Sequence, residues 1–456
     1  MDRKLMIQQL ESTPVWDICI IGGGATGLGT ALDAASRGYK TILFEQYDFA
    51  KGTSSRSTKL VHGGVRYLQQ GNIKLVMEAL RERGLLLQNA PHLVHNQKFV
   101  VPNYSWWEKT FYGVGLKVYD MMAGKLGLGP SRFLSKEETL EFAPTLDPED
   151  LKGGILYHDG QFDDARLAIS IAQTAAGYGA VLLNYFPVAG LLKLQKKIGG
   201  VWVKDSLTGK EYEVKSKVVI NATGVFTDAI MKMDDAKHEN IINPSQGIHL
   251  VVDKEFLPGD TAIMIPRTDD GRVLFAVPWH EKIVLGTTDT PADNISSEPI
   301  PLQDEIDFIL KHMGRYLSKD PQLSDVRSMF AGLRPLVKGK TKKTAALSRD
   351  HFINIGDSGL LTITGGKWTT YRKMAEDVVD IAMRNYELPE KFCKTKELKL
   401  NGYNEPVTPA EITSLSPEEL KTIIKKSVEE EMCMTVEDFL SRRTRQLLLN
   451  AQEAIN

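Results

Sequence analysis

Gly22, Gly24 and Gly27 recur at two- and three-residue spacing in the run Gly22-Gly23-Gly24-Ala25-Thr26-Gly27, and a single acid, Glu45, closes the next apolar run. The first glycine permits a tight turn, the second lets a charged ligand reach the backbone, and the third lets a helix pack close on a strand. A helix opening at that point offers free N–H groups and its positive dipole end to a pyrophosphate. Glu45 would then accept a hydrogen bond from a ribose hydroxyl. The elements that must position these groups flank them: Val15 to Ile21 is apolar and of strand length, Leu28 to Gly38 has helical spacing, and Thr41 to Phe44 is a second strand. An ordinary βα turn is the plainer alternative. Both strands and the acid in register favour a dinucleotide-binding βαβ unit.

The next stretch, Thr53 to Tyr67, is crowded with hydroxyl residues and glycines. Such residues build no core, but they hydrogen-bond phosphates and ring edges where backbone must approach a ligand. A flexible linker is disfavoured, because Ile73 to Leu87 follows as an amphipathic helix that stops before Pro91.

Composition excludes several function classes. At 456 residues the chain is too long for one core, and its 42% hydrophobic and 25% charged content is that of a soluble globular protein. A formal net charge of -2 and the lack of a basic tract argue against nucleic acid as a partner. Cys19, Cys393 and Cys433 are far apart, without metal-ligand spacing, so neither a metal site nor a disulfide framework is expected. Met1 to Thr13 lacks the apolar region of a secretory signal, and Phe111 to Gly129 is interrupted by Lys117, Asp120 and Lys125, too polar for a spanning helix.

Further along, Asn103 to Gly129 is rich in aromatics, including Trp106, Trp107 and Tyr119, which suits either packing or a surface for a bilayer or quinone. Ser135 to Glu138 reads as a capping box, and Asp164 to Tyr178 as a helix leading into the strand Val181 to Asn184. Gly200 to Asp205 and Glu211 to Lys215 read as a hairpin, and Lys217 to Gly224 as a separate buried strand ending in a small-residue turn. From Ile242 to about Lys340, alternating runs at Ile248 to Val252, Ala262 to Pro266, Val273 to Pro278 and Ile283 to Gly286 predict an antiparallel unit interrupted by one helix, Asp304 to Leu317. Gly365-Gly366-Lys367-Trp368-Thr369-Thr370-Tyr371 then opens a helix running to about Asn385, whose positive end suits a negative partner.

Taken together, GGGATG, Glu45 and TSSRSTKLVHGGVRYL strongly resemble the FAD-dependent glycerol-3-phosphate dehydrogenases, a branch of the glycine and D-amino-acid oxidase fold group. GTTD at Gly286 to Asp289, GLRPL at Gly332 to Leu336 and GGKWTTY at Gly365 to Tyr371 follow in the family's order, so the likeness runs from Asp17 to about Arg445. It implies an α/β fold: an FAD-binding Rossmann-like domain in three parts (14–100, 151–241 and 345–388), an intervening helical and aromatic segment (101–150), a mostly antiparallel substrate domain (242–344) and a small C-terminal helical cap (389–456). That cap is shorter than the family's usual one.

The resemblance also implies chemistry. It assigns to noncovalent FAD the residues Gly22, Gly24, Ala25, Thr26, Gly27 and Glu45, together with Thr53, Ser54, Ser55, Ser57, Lys59, Leu60, His62, Gly63 and Gly64 of the hydroxyl-rich loop. Val188, Ala222, Thr223, Gly224, Asp289 and Gly332 join them, as do Gly365, Gly366, Lys367, Trp368 and Thr369. The reaction implied is oxidation of sn-glycerol 3-phosphate to dihydroxyacetone phosphate, with C2 hydride passing to flavin N5 and electrons to a quinone. A phosphate dianion calls for cations, and Arg66, Arg334 and Lys367 match, with Tyr67 as a further donor. The hydroxyl proton needs a base, for which His249 is the best candidate. Cytoplasmic placement with peripheral attachment to the inner face of the cell membrane is carried over from the family, and a homodimer is admitted without being specified. Rival expectations keep the fold: an oxidase of the same substrate that makes hydrogen peroxide, an amine or amino-acid oxidase, or a flavoprotein without catalysis.

Overall fold

A central parallel strand is covered on both faces and must be apolar throughout, and Ile18, Cys19 and Ile20 are fully buried accordingly. The strand runs Trp16–Ile21 and pairs in parallel with Thr41–Phe44 on one side and Glu211–Asn221 on the other, Ile18 standing opposite Thr41 and Val218. The structure, a computed structural model, describes residues 1–64, 72–338, 351–405, 412 and 415–455, without the side chains of 106–111 and 125. Arg66, Tyr67 and the expected boundary at 344 lie outside the described residues.

The first sheet is completed by Leu361–Gly365 and His351–Ile355 beyond Glu211–Asn221, and by Val181–Leu183 beyond Thr41–Phe44. The small residues of the helix Ala25–Ser36 let it lie against both the sheet and the helix Tyr371–Asn385; a Cβ on Gly29 would fall 2.7 Å from the Tyr371 ring. The expected hairpin strand and the expected buried strand near residue 217 are one element. Glu211–Asn221 pairs antiparallel with Lys197–Lys204 as far as Lys215, then takes Trp16–Ile21 as a parallel partner from Ser216 onward, with no turn between.

The second sheet, ten-stranded among the described residues, contains the expected antiparallel strands Ile242–Asp253, Thr261–Ile265, Leu274–Trp279 and Lys282–Gly286. It also recruits Leu60–Val61, Val94–Asn103, Arg132–Leu134 and Gly153–Phe162, so it is not built from 242–344 alone. Glycines in Gly153–Phe162 allow backbone to come close: a Cβ at Gly160 would meet the Val61 carbonyl at 2.7 Å. Val326–Val337 pairs with Ile242–Asp253 from Ile242 to Val252, putting Arg334 opposite Ser245, Gly332 opposite Gly247 and Phe330 opposite His249. The helix Gln303–Gly314 covers the apolar face of this sheet. The chain then returns through Tyr371–Asn385 to the first sheet and continues into further helices, of which Pro417–Glu431 carries a Ser416 capping box. Among the described residues no helix is long and apolar enough to cross a membrane.

Candidate active site

A cleft of about 430 Å³ opens where the two sheets meet, and the glycine turn forms part of its wall. Gly22 has φ +108°, and a Cβ there would stand 2.7 Å from the Ala222 carbonyl. A Cβ on Gly27 would stand 1.8 Å from the Gly22 carbonyl, so Gly27 shapes the turn from beneath. Glu45 ties the turn to the second strand: its Oε2 accepts from the Gly23 N–H at 2.6 Å and its Oε1 from the Tyr47 N–H at 2.9 Å. Burial pushes this carboxyl above its ordinary value while the two backbone donors hold it down. The helix Ala25–Ser36 has no acid in its first turn, leaving its positive end for an anion. Turn, helix end and acceptor together fit a dinucleotide.

Replacing Gly27 by alanine should force that helix end off the cradle. Overpacking of this kind costs about 1–3 kcal/mol, and flavin content per chain is expected to fall about tenfold while circular dichroism stays that of the parent. Parent-level flavin in the variant would show that the close packing at Gly27 is dispensable for the cofactor.

The hydroxyl-rich loop is stitched to both sheets. Ser54 Oγ accepts from the Ala25 N–H at 2.9 Å, and the Ser54 carbonyl accepts from Trp368 Nε1 at 2.8 Å. Thr53 Oγ1 donates to the Leu333 carbonyl at 2.5 Å, and the His62 N–H donates to Thr369 Oγ1 at 3.2 Å. Lys59 is wholly buried: its Nζ donates to Asp164 at 2.8 Å and to the Ser55 carbonyl at 2.8 Å. Ser57 Oγ donates to the same carboxylate at 2.7 Å. The Gly63 N–H donates to the Tyr119 hydroxyl at 2.8 Å, which in turn donates to Asp159 at 2.7 Å.

Three side chains with chemistry converge on the cleft from the second sheet and the last glycine pair. Arg334 lies flat over Gly247, where any Cβ would stand 2.2 Å from Nη2. Its Nη2 donates to Thr287 Oγ1 at 3.0 Å, and its Nη1 lies 3.7 Å from Asp289 Oδ1. Asp289 in turn takes the Ser245 hydroxyl, so it orients the guanidinium from behind. His249 stacks on Phe330 with ring centroids 4.9 Å apart and is only 2% exposed. Burial first, then the nearby charges of Arg334 and Lys59, hold its pKa well below the usual imidazole value, so the ring is neutral. Its Nε2 lies 2.8 Å from Thr58 Oγ1. Gly365 and Gly366 both take left-handed backbone, φ +77° and +70°, which places Lys367 ahead of the turn Trp368–Thr370 that opens the helix Tyr371–Asn385.

Of the residues expected from sequence, the cleft is lined by Gly22, Gly24, Ala25, Thr26, Glu45, Thr53, Ser54, Ser57, Leu60 and His62. Val188, Ala222, Thr223, Gly224, His249, Gly332, Arg334, Gly365, Gly366, Lys367, Trp368 and Thr369 line it as well. The structure does not bring Gly27, Ser55, Lys59, Gly63, Gly64 or Asp289 to its wall; they pack or pair behind it. Sequence reasoning passed over Thr58 and Arg56, which line the cleft from inside the same motif, and Lys51 in the loop after Glu45. Their signal was proximity to the motif, with no partner visible in sequence.

The chain belongs to the FAD dependent oxidoreductase family, whose model matches residues 17–372. Relatives named glycerol-3-phosphate dehydrogenase match it at 42–47% identity. The mitochondrial glycerol-3-phosphate dehydrogenase of Mus musculus is 47% identical over 416 residues, covering 88% of this chain and 57% of that protein. The chain thus spans a little over half the length of its mammalian relatives. The glycerol-3-phosphate dehydrogenase from Bacillus halodurans, solved in complex with FAD, superposes with a TM-score of 0.80 at 32% identity, covering 99% of this chain and 91% of that one. The L-alpha-glycerophosphate oxidase from Mycoplasma pneumoniae shares the fold, with a TM-score of 0.67 at 18% identity, covering 84% of this chain and 97% of that one.

Proposed function

We propose that the protein oxidises the C2 alcohol of sn-glycerol 3-phosphate to dihydroxyacetone phosphate and passes the electrons to a quinone. The observation that carries this is convergence: Arg334, Lys367 and the neutral buried imidazole of His249 reach the same cleft as the dinucleotide cradle. FAD, when bound, supplies a hydride acceptor at N5 and the onward route for electrons. Arg334 offers the phosphate a planar fork and Lys367 a point charge. His249 takes the hydroxyl proton. The Thr58 hydroxyl, 2.8 Å from Nε2 and lining the cleft, relays the proton to a ring that is itself nearly sealed.

The decisive experiment is the visible spectrum of the purified protein without oxygen, before and after adding sn-glycerol 3-phosphate. Flavin bands should bleach, and a quinone dye should restore them faster than oxygen does. A flavin that substrate leaves unbleached would sink this substrate in favour of amines or amino acids. Faster recovery with oxygen would make the protein an oxidase.

Support for a membrane-held acceptor comes from two adjoining helices. Ile73–Asn89 and Trp106–Ala123 bury Leu75, Val76, Leu80 and Tyr119 against each other. Their outer faces leave Ile73, Met77, Val114, Val118 and Met121 exposed, Met121 at 81%. Isolated exposed apolar residues are ordinary, but Val114, Val118 and Met121 recur at helical spacing, as Ile73 and Met77 do, which suits a contact surface. A Met121→Asp variant should sediment with anionic lipid vesicles severalfold less than the parent while reducing a water-soluble quinone dye normally. Unchanged sedimentation would remove this helix from the membrane face.

A further inference from the structure

A stretch that follows the helix Pro417–Glu431 backs one wall of the cofactor cleft. Thr435 to Gln446 is a capped turn, Val436–Asp438, followed by the wide helical turn Phe439–Arg443. Arg442, Arg443 and Arg445 within it are 2% exposed or less, although each carries a full charge. Arg442 Nε contacts Asp48 Oδ2 at 2.5 Å, and Arg443 closes a fork on both Asp48 oxygens at 2.7 and 2.9 Å. Asp48 belongs to the loop between Glu45 and Gly52, whose Tyr47, Ala50, Lys51 and Gly52 line the cleft. A second tie runs from Glu437 Oε2 to Lys51 Nζ at 3.0 Å, and the same carboxylate takes Arg442 Nη1 at 2.7 Å. The loop is joined to the glycine turn as well, for the Ala50 N–H donates to the Gly23 carbonyl at 2.9 Å.

Buried charges cannot be left unpaired without a large penalty. The loop therefore cannot leave the cleft while the arginines stay docked, nor can the arginines undock while the loop stays. Loop position and docking of residues 435–446 form one equilibrium, and a cofactor that binds only the docked state draws on it.

We propose that residues 435–446 are a clasp for the cofactor: Arg442, Arg443 and Glu437 are positioning residues that fix the loop after Glu45, so FAD retention depends on them. The clasp requires only bound FAD and not the substrate, so its test stands apart from that of the reaction. Apoprotein of the full chain is titrated with FAD by flavin fluorescence, and the melting temperature is read with and without FAD. Glu437→Ala removes both ties to Lys51 and Arg442 from a side chain that is already one-third exposed. FAD dissociation constants should rise about tenfold, with apoprotein melting unchanged and the increment that FAD adds reduced. Arg442→Lys, which keeps the charge and loses the simultaneous contacts to Asp48 and Glu437, should show the same loss of affinity. A Glu437→Ala protein that binds FAD as tightly as the parent overturns the clasp, whatever its melting temperature. Should Arg442→Lys fail to fold, Glu437→Ala decides alone.

Discussion

Replacing Arg334 by alanine is expected to raise the Michaelis constant for glycerol 3-phosphate by roughly a hundredfold or more while FAD stays bound. Hydrogen bonds to a charged group are worth about 1.5–3 kcal/mol each, and a fork on a phosphate makes two of them. The guanidinium is ready for that fork without rearrangement. Thr287 holds Nη2 at 3.0 Å, the Gln246 carbonyl holds Nη1 at 3.4 Å, and Asp289 neutralises part of the charge from behind. Gly247 leaves room for the planar group to lie along the sheet. Arg334→Lys keeps the charge and loses the planar geometry, so about a tenfold rise in the Michaelis constant should remain. Steady-state kinetics beside flavin content per chain checks both variants. Parent kinetics in Arg334→Ala would take the residue out of the substrate site, and loss of flavin would make it a cofactor residue instead.

The parts of this structure that were legible in sequence are those whose signal is local. Trp16–Ile21, Thr41–Phe44 and the helix between them follow from a continuous apolar run, three glycines and helical spacing, all within thirty residues of one another. GLRPL and GGKWTTY announce backbone features that only their own residues require, such as the left-handed Gly365 and Gly366. Long-range pairing was not legible. Gly153–Phe162 is a strand whose glycines serve close approach to Val61 and Thr139, partners that nothing in its own residues points to. Lys59 sits in a ligand-like motif, but its partner Asp164 lies 105 residues away and turns it into a buried structural pair. Asp48 carries no local mark at all, since its two arginines arrive from 394 and 395 residues downstream. Thr58 was read past for the same reason: a threonine among serines gains meaning only when a strand 191 residues later brings His249 to it.

That contact sets up the second large effect. A general base contributes about 10²–10⁴-fold to rate, so His249→Ala is expected to slow anaerobic flavin reduction at saturating substrate by at least a hundredfold, with substrate affinity little changed. Thr58→Val should lose a good part of the same rate if the hydroxyl relays the proton, whereas Thr58→Ser should restore it. The pH dependence carries a sign. Burial, with Arg334 and Lys59 nearby, holds the His249 pKa well below its ordinary 6.5. The folded protein therefore keeps the ring neutral as pH falls through 6.5, and the reduction rate should stay flat there, dropping only in more acid solution. The unfolded chain does take up the proton near 6.5, so folding stability falls as pH drops below that value. In Arg334→Ala the cation is gone, the imidazole pKa rises, and the acid limb of the reduction rate should move upward in pH. Stopped-flow flavin bleaching across pH measures both limbs. A limb that stays put in Arg334→Ala would mean the two groups do not share the site, and a normal reduction rate in His249→Ala would end its assignment as the base.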